Sequence, residues 1–183
     1  AVTDKPILFA AVTDPVAAGL VTSWEKPGAN ITGTSDMNPI DEQLALVKDV
    51  APDAKTVGIV YSSAESNSEV QVTMAKAAAA KMGLEIKTAT VTNSSEVQQA
   101  AKSLDVDAFY VPTDNTVVSA LESLLQVAEA SKTPVVSADG DSVKRGVLAS
   151  VAVDYYKMGQ QTADMAVKIL KDGVKPADIP VET

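Results

Sequence analysis

The 183-residue sequence predicts an α/β fold, a parallel sheet flanked by helices and shared between two lobes. Three observations carry that expectation. Short apolar, β-rich runs alternate with helical stretches of about ten residues or more, the pattern of right-handed β-α-β crossovers. The apolar runs end again and again in a small polar residue and an aspartate: Thr13-Asp14, Thr34-Ser35-Asp36, Thr113-Asp114, Ser137-Ala138-Asp139 and Asp154. In open parallel sheets the carboxyl ends of the strands border the ligand crevice, so these tips sketch a binding site. Finally, the strands do not form one series. The pieces before residue 36 and after 152 flank a continuous run, 36–152, that holds five candidate strands.

Residues 6–12 read as a buried strand. Asp14 follows as an N-cap, with Pro15 at the first helical position where a missing N–H costs nothing. The spacing predicts a helix from there to about residue 24, broken by Pro27-Gly28. Residues 31–34 are a short strand and 36–39 a turn, after which 41–50 carries Leu44, Val47 and Val50 at helical spacing. A strand at 57–61 leads into a polar loop, 62–68. Residues 70–82, almost all Ala, Lys, Met and Val, form a high-propensity helix stopped by Gly83. Residues 84–91 alternate as a strand with one wetter face. Asn93 and Glu96 have capping-box spacing for a helix reaching residue 104. Then come a strand at 108–111, a helix at 117–130, strands at 134–137 and 146–151, and a long helix at 155–171 ended by Gly173.

Composition removes several function classes. Lys and Arg number 15 against 24 Asp and Glu, and the net charge of -9 argues against a nucleic-acid or anionic-membrane surface. No apolar stretch approaches the roughly 20 residues that span a bilayer. Cysteine and histidine are both absent, which excludes a Ser-His-Asp triad, a Cys-His pair and a His-bearing zinc site. Without a Gly-x-Gly-x-x-Gly, a Walker loop or a nucleophile elbow, no cofactor is expected.

The stretches FAAVTDPVAAGLV (9–21), NITGT (30–34), YVPTDNT (110–116), SVKRG (142–146), VDYY (153–156) and PADIPVET (176–183) resemble the ABC-transporter solute-binding family that includes tryptophan and tyrosine receptors. The resemblance covers essentially the whole chain. It implies a type I periplasmic-binding-protein fold, in which two α/β lobes close on a small solute. Full members of that family begin with a further stretch of α/β sequence, so the chain is expected to hold a complete second lobe, 36–152, and parts of the first, 1–35 and 153–183. The implied function is the solute-binding component of an ABC importer, handing a small solute to permease subunits without chemistry of its own. The resemblance suggests an amino acid, aromatic in the better-known relatives. It also implies a periplasmic or otherwise extracytoplasmic setting, with a leader or lipoprotein anchor upstream of Ala1. A truncated first lobe would expose a sheet edge and apolar helix faces, and a homodimer through that lobe is the matching expectation.

For the site, Asp114 is the first choice, with Thr113 and Asn115 beside it, because a strand-end carboxylate can pair with a ligand ammonium. The same aspartate can instead cap the next helix, and the sequence leaves both readings open. Asp139 before Gly140 is similar, with a plain turn as its alternative. Tyr61 is the candidate stacking wall, and Asn67 and Ser68 are neighbouring donors. On the first-lobe side, Asp14 reads more as a cap than as a contact, while the Thr13 hydroxyl suits a carboxylate. Ser35, Asp36, Asp154 and Tyr155 stand where the chain passes between lobes and are the expected hinge. Lys144-Arg145 reads as a solvated turn. Two other function classes stay in view. One is the effector domain of a transcription regulator with this fold; the other is an enzyme with aspartates clustered on Mg²⁺. The aspartates fall on different strands and the resemblance brings no metal, so neither enzyme nor metal is expected.

Overall fold

The computed structural model describes residues 3–183 and divides the chain into two compact units, 1–38 with 153–183, and 39–152. In chain order the first elements are β1 (Ile7–Phe9), β2 (Ile31–Gly33), α1 (Ile40–Val50), β3 (Thr56–Ser62), α2 (Ser66–Lys81) and β4 (Glu85–Val91). They are followed by α3 (Val97–Lys102), β5 (Ala108–Val111), α4 (Asn115–Ser119), α5 (Leu121–Ser131), β6 (Val135–Ser137), β7 (Ala149–Ser150) and α6 (Tyr155–Leu170).

In the unit formed by 1–38 and 153–183, β1 and β2 pair in parallel, Ile7 opposite Ile31 and Phe9 opposite Gly33. Phe9, Val21 and Val181 form one apolar cluster. Leu8 packs with Met165, Ile169 and Ile179, so the buried stripe of α6 closes one side of the small sheet. The helix expected over 14–24 is absent. Asp14 does cap a turn, its Oδ1 accepting from the amides of Val16 and Ala17 at 3.0 Å. Gly19 then enters the left-handed region at φ +68°, where the Gly19 amide donates to Val16 O and the Leu20 amide to Pro15 O. That pair of bonds is a Schellman closure, and it stops the helix after one turn. The strand expected over 6–12 shortens to Ile7–Phe9, and Ala11 at φ +59° turns the chain away.

In the unit 39–152, five parallel strands lie in the order β4-β3-β5-β6-β7. Both faces are covered, which is why the strands read as nearly continuous apolar runs. Val57, Ile59, Ala108, Tyr110 and Val136 pack with Leu44 and Val47 of α1 and Val72 and Ala75 of α2. Val60, Phe109, Val111 and Val135 pack with Val97 of α3 and Leu121 and Leu124 of α5. Full burial of each such Leu or Val contributes about 1.5–3 kcal/mol. Gly58 is paired with Phe109, and a Cβ there would come within 2.9 Å of the Phe109 ring, so the ring needs a glycine beneath it. Through the core runs a polar chain. The Tyr110 hydroxyl donates to Gln43 Oε1 at 2.6 Å, and Gln43 Nε2 donates to Val151 O at 2.6 Å, joining β5, α1 and the segment after β7.

Several boundaries differ from the sequence expectation. α2 begins at Ser66, four residues before the expected start, so the polar loop is short. Asn93 accepts from the Ser95 amide, Glu96 accepts most strongly from Thr92, and a 3₁₀ turn precedes a short α3 that ends at Lys102. The single helix expected over 117–130 is two, broken at Ala120, where Arg145 donates to the Val118 carbonyl at 2.9 Å. The strand expected over 146–151 shrinks to Ala149–Ser150, preceded by a 3₁₀ segment at Gly140–Arg145.

Candidate strand-end site

The carboxyl ends of β3 and β5 bring the expected residues together in the unit 39–152. β3 and β5 pair only at Val57 with Ala108 and Gly58 with Phe109. Beyond those pairs no ladder bond joins them, and side chains hold their tips instead. Asp114, 1% exposed, accepts from the Ser62 amide at 2.6 Å and the Ser68 hydroxyl at 2.7 Å through Oδ2. Its Oδ1 accepts from the Val117 amide at 2.8 Å, which makes Asp114 the N-cap of α4. The Thr113 carbonyl accepts from Asn67 Nδ2 and Gln71 Nε2, each at 2.9 Å, and the Thr113 amide donates to Gln71 Oε1 at 2.9 Å. Asn67 and Gln71 reach the same loop because four residues of helix put them on one face.

A residue that the sequence reading passed over completes the arrangement. Glu65, just before α2, accepts from the amide and side chain of Asn115 at 3.0 and 2.7 Å through Oε2. Through Oε1 it accepts from the amide and hydroxyl of Thr116 at 3.0 and 2.8 Å. Partial burial works against the Glu65 carboxylate, but the four bonds outweigh it and hold the group below its usual carboxylate range. No local signal marks Glu65, because its partners lie 50 residues away. Tyr61, at the end of β3, is half-buried against the α1 and α2 side of the core.

The other expected residues are placed as follows. Asp139 accepts from the Asp141 amide at 3.1 Å and the Ser142 hydroxyl at 2.7 Å, capping the 3₁₀ segment after β6. In the other unit, Thr13 donates to Asp36 Oδ1 at 2.9 Å, and the Tyr155 hydroxyl donates to Asp36 Oδ2 at 3.2 Å. Ser35 donates to the Thr13 carbonyl at 2.7 Å. Thr13, Ser35 and Asp36 are all buried, so the tips of β1 and β2 are bound to the start of α6. Asp154 caps α6 through the Lys157 amide at 3.0 Å, and that bond holds its carboxyl below the usual range. Lys144 and Arg145 are not merely solvated, since they pair with Asp141 and Glu122. Among the described residues no group of three or more acidic side chains is arranged to hold a metal ion.

Comparison with known proteins supplies what geometry does not. The family model described as ABC transporter substrate binding protein matches residues 1–183. A tyrosine-binding protein of Clostridioides difficile (strain R20291) is 44% identical over 182 residues, 98% of this chain and 52% of its own length. The solved structure of an ABC domain in complex with L-Trp from Streptococcus pneumonia has a TM-score of 0.92 at 41% identity, covering 98% of this chain and 61% of that one. A conserved domain protein from Vibrio cholerae O1 biovar El Tor str. N16961 gives 0.93 at 41% identity, covering 98% and 62%. The chain thus spans about half the length of the curated relatives it matches. Its α/β architecture is of the periplasmic-binding-protein type, and the matched family is one of substrate-binding proteins, not enzymes. Matched from end to end by that model, the chain belongs to the ABC transporter substrate-binding protein family.

Proposed function

We propose that the full-length protein is the extracytoplasmic receptor of an ABC importer, capturing a free aromatic amino acid by lobe closure and passing it unchanged to the permease. One observation carries this reading: over 98% of its length the chain is 44% identical to a protein named for tyrosine binding, and it is 41% identical to one solved with L-Trp. The chemistry at the β3 tip is compatible, since Tyr61 offers an aromatic face with a polar end. Closure follows if the solute contacts the closed state more favourably than the open one, because a ligand shifts an equilibrium only by that difference. Among the residues read from the sequence, Tyr61 is our proposed solute contact, whereas Asp114, Thr113, Asn115, Asn67 and Ser68 form the framework behind it. That assignment rests on the hydrogen bonds those five make to one another and to Glu65 and Gln71.

Isothermal titration of the full-length protein against the common amino acids tests the proposal. Saturable binding of L-Tyr or L-Trp is the expected result, and absence of binding to any amino acid overturns it. Tyr61→Ala is expected to weaken aromatic ligands and, because the ring packs on the α1 and α2 side of the core, also to lower the melting temperature, so affinity is read well below the unfolding transition. Self-association is a further proposal, supported by the exposed Tyr156, Val167 and Leu170 on α6. Light scattering that reads a monomer mass rejects it.

A further inference from the structure

We infer that Glu65 is a positioning residue for solute capture, fixing the tip of β5 against the tip of β3 so that the strand-end surface is formed before the solute arrives. This rests on the proposed function above.

The need for such a residue comes from the sheet. The β3–β5 ladder stops at Gly58 and Phe109, while β3 runs on to Ser62 and β5 to Val111. Beyond the last ladder pair the two strands are held by core packing and by their outer neighbours, and at the tips themselves by side-chain bonds. Two carboxylates do this in opposite directions. Asp114 reaches from the β5 tip to the Ser62 amide and the Ser68 hydroxyl, and Glu65 reaches from the β3 tip to Asn115 and Thr116.

Glu65 is placed for this task and not for the ordinary one. It occupies the N-cap position of α2, with φ -107° and ψ 109°, yet its side chain makes no capping bond to that helix. Its carboxylate crosses to α4 and takes the first two amides there, Asn115 and Thr116, which Asp114 leaves because its own cap bond goes to Val117. Every bond to Glu65 is charge-assisted, and the carboxylate accepts two donors on each oxygen, so the distance between the tips is over-determined. A preformed tip removes the population penalty that a solute would otherwise meet when only a fraction of molecules are competent.

The test uses the full-length protein with L-Tyr and L-Trp, comparing wild type, Glu65→Ala, Glu65→Gln and, as a stability control elsewhere in the same unit, Glu122→Gln. Amide exchange without solute reads the clasp, and stopped-flow binding reads its effect. Glu65→Ala is expected to speed exchange at Asn115 and Thr116 and to weaken binding by about tenfold, chiefly through slower association, since a fractionally populated competent state lowers apparent affinity. Glu65→Gln keeps one acceptor oxygen and should fall between, so it serves if the alanine variant fails to fold. Glu122→Gln should leave affinity unchanged. The difference in affinity between wild type and Glu65→Ala should persist as pH falls to 4.5, the ordinary glutamate value, and close below it as Glu65 takes up a proton. Faster exchange with unaltered affinity and association rate reduces Glu65 to a structural residue and overturns the inference. Unaltered exchange overturns the clasp itself. If wild type binds no amino acid, the proposed function fails and the capture role falls with it, while the exchange data still report on the clasp.

Discussion

Asp114→Ala separates the two roles the sequence left open for that aspartate. Asp114 is 1% exposed, and its removal strips the acceptor from two buried amides, Ser62 and Val117, as well as from the Ser68 hydroxyl. A buried donor left unsatisfied costs about 1–3 kcal/mol, so the two amides together predict a loss of about 2–6 kcal/mol. The loss of the helix cap, by itself about 1 kcal/mol, is contained in that figure, because it is the Val117 bond counted once. Asp114→Asn keeps one oxygen and turns its NH₂ against the remaining donors, which predicts about half the effect. Urea unfolding followed by far-UV circular dichroism, to which both units contribute, reads the change, and fluorescence of Trp24, the single tryptophan, reports on the other unit. An alanine variant within about 0.5 kcal/mol of wild type, the range of an ordinary surface substitution, would refute the framework role. If that variant also lost amino-acid binding in the full-length protein, Asp114 would be a solute contact after all.

Gly58→Ala places a methyl 2.9 Å from the Phe109 ring and from Val106 Cγ2 and is expected to destabilise by about 1–3 kcal/mol in the same urea assay, as overpacked cores do. Burial pushes the Tyr110 phenol well above its ordinary value of 10.0, so the native state keeps a proton that the unfolded chain releases. The stability this gives is fully present below pH 10 and declines as pH rises beyond it, and Tyr110→Phe should flatten that decline while losing about 1 kcal/mol at neutral pH with the hydroxyl-to-Gln43 bond. The Arg145 guanidinium holds the Glu122 carboxyl down at about 2, so its contribution is present above the ordinary 4.5 and is lost as pH falls toward 2. Carbon-13 NMR titration of Arg145→Met should move Glu122 up toward the ordinary carboxylate range, with the backbone hydrogen bond still holding it somewhat down, and an unmoved midpoint would refute the pairing.

The parallel α/β architecture was legible because it is written locally. Strand runs such as Val57 to Tyr61 and helix stripes such as Leu44 and Val47 need only a few neighbouring residues to declare themselves. The failures came where distant bonds or a single backbone angle decide. Nothing near residues 14–24 forbids a helix except Gly19, whose left-handed conformation is a choice and not a necessity of glycine. At the break near Ala120 the Val118 carbonyl is taken by Arg145, 27 residues further on. In the site, the cap readings of Asp14, Asp114 and Asp154 could be found because each accepts from an amide two or three residues on. Glu65 could not, because no pattern within a window of ordinary length connects it to Asn115 and Thr116.

The recurring aspartate at the strand tips therefore has a common cause that is not a common ligand. A parallel strand that hands over to a helix leaves amides unsatisfied at the helix start, and an aspartate at that junction satisfies them with its own side chain. Asp14, Asp114, Asp139 and Asp154 each accept from an amide two or three residues further on. Asp36 departs from the rule: its donors are Thr13, from the tip of β1, and Tyr155, from the start of α6. Where the aspartates also reach across to another tip, as Asp114 does to Ser62, they convert a row of separate caps into a fixed edge. A binding surface built on such an edge takes its selectivity from what stands on it. In the unit 39–152 the residue we propose for that role is Tyr61.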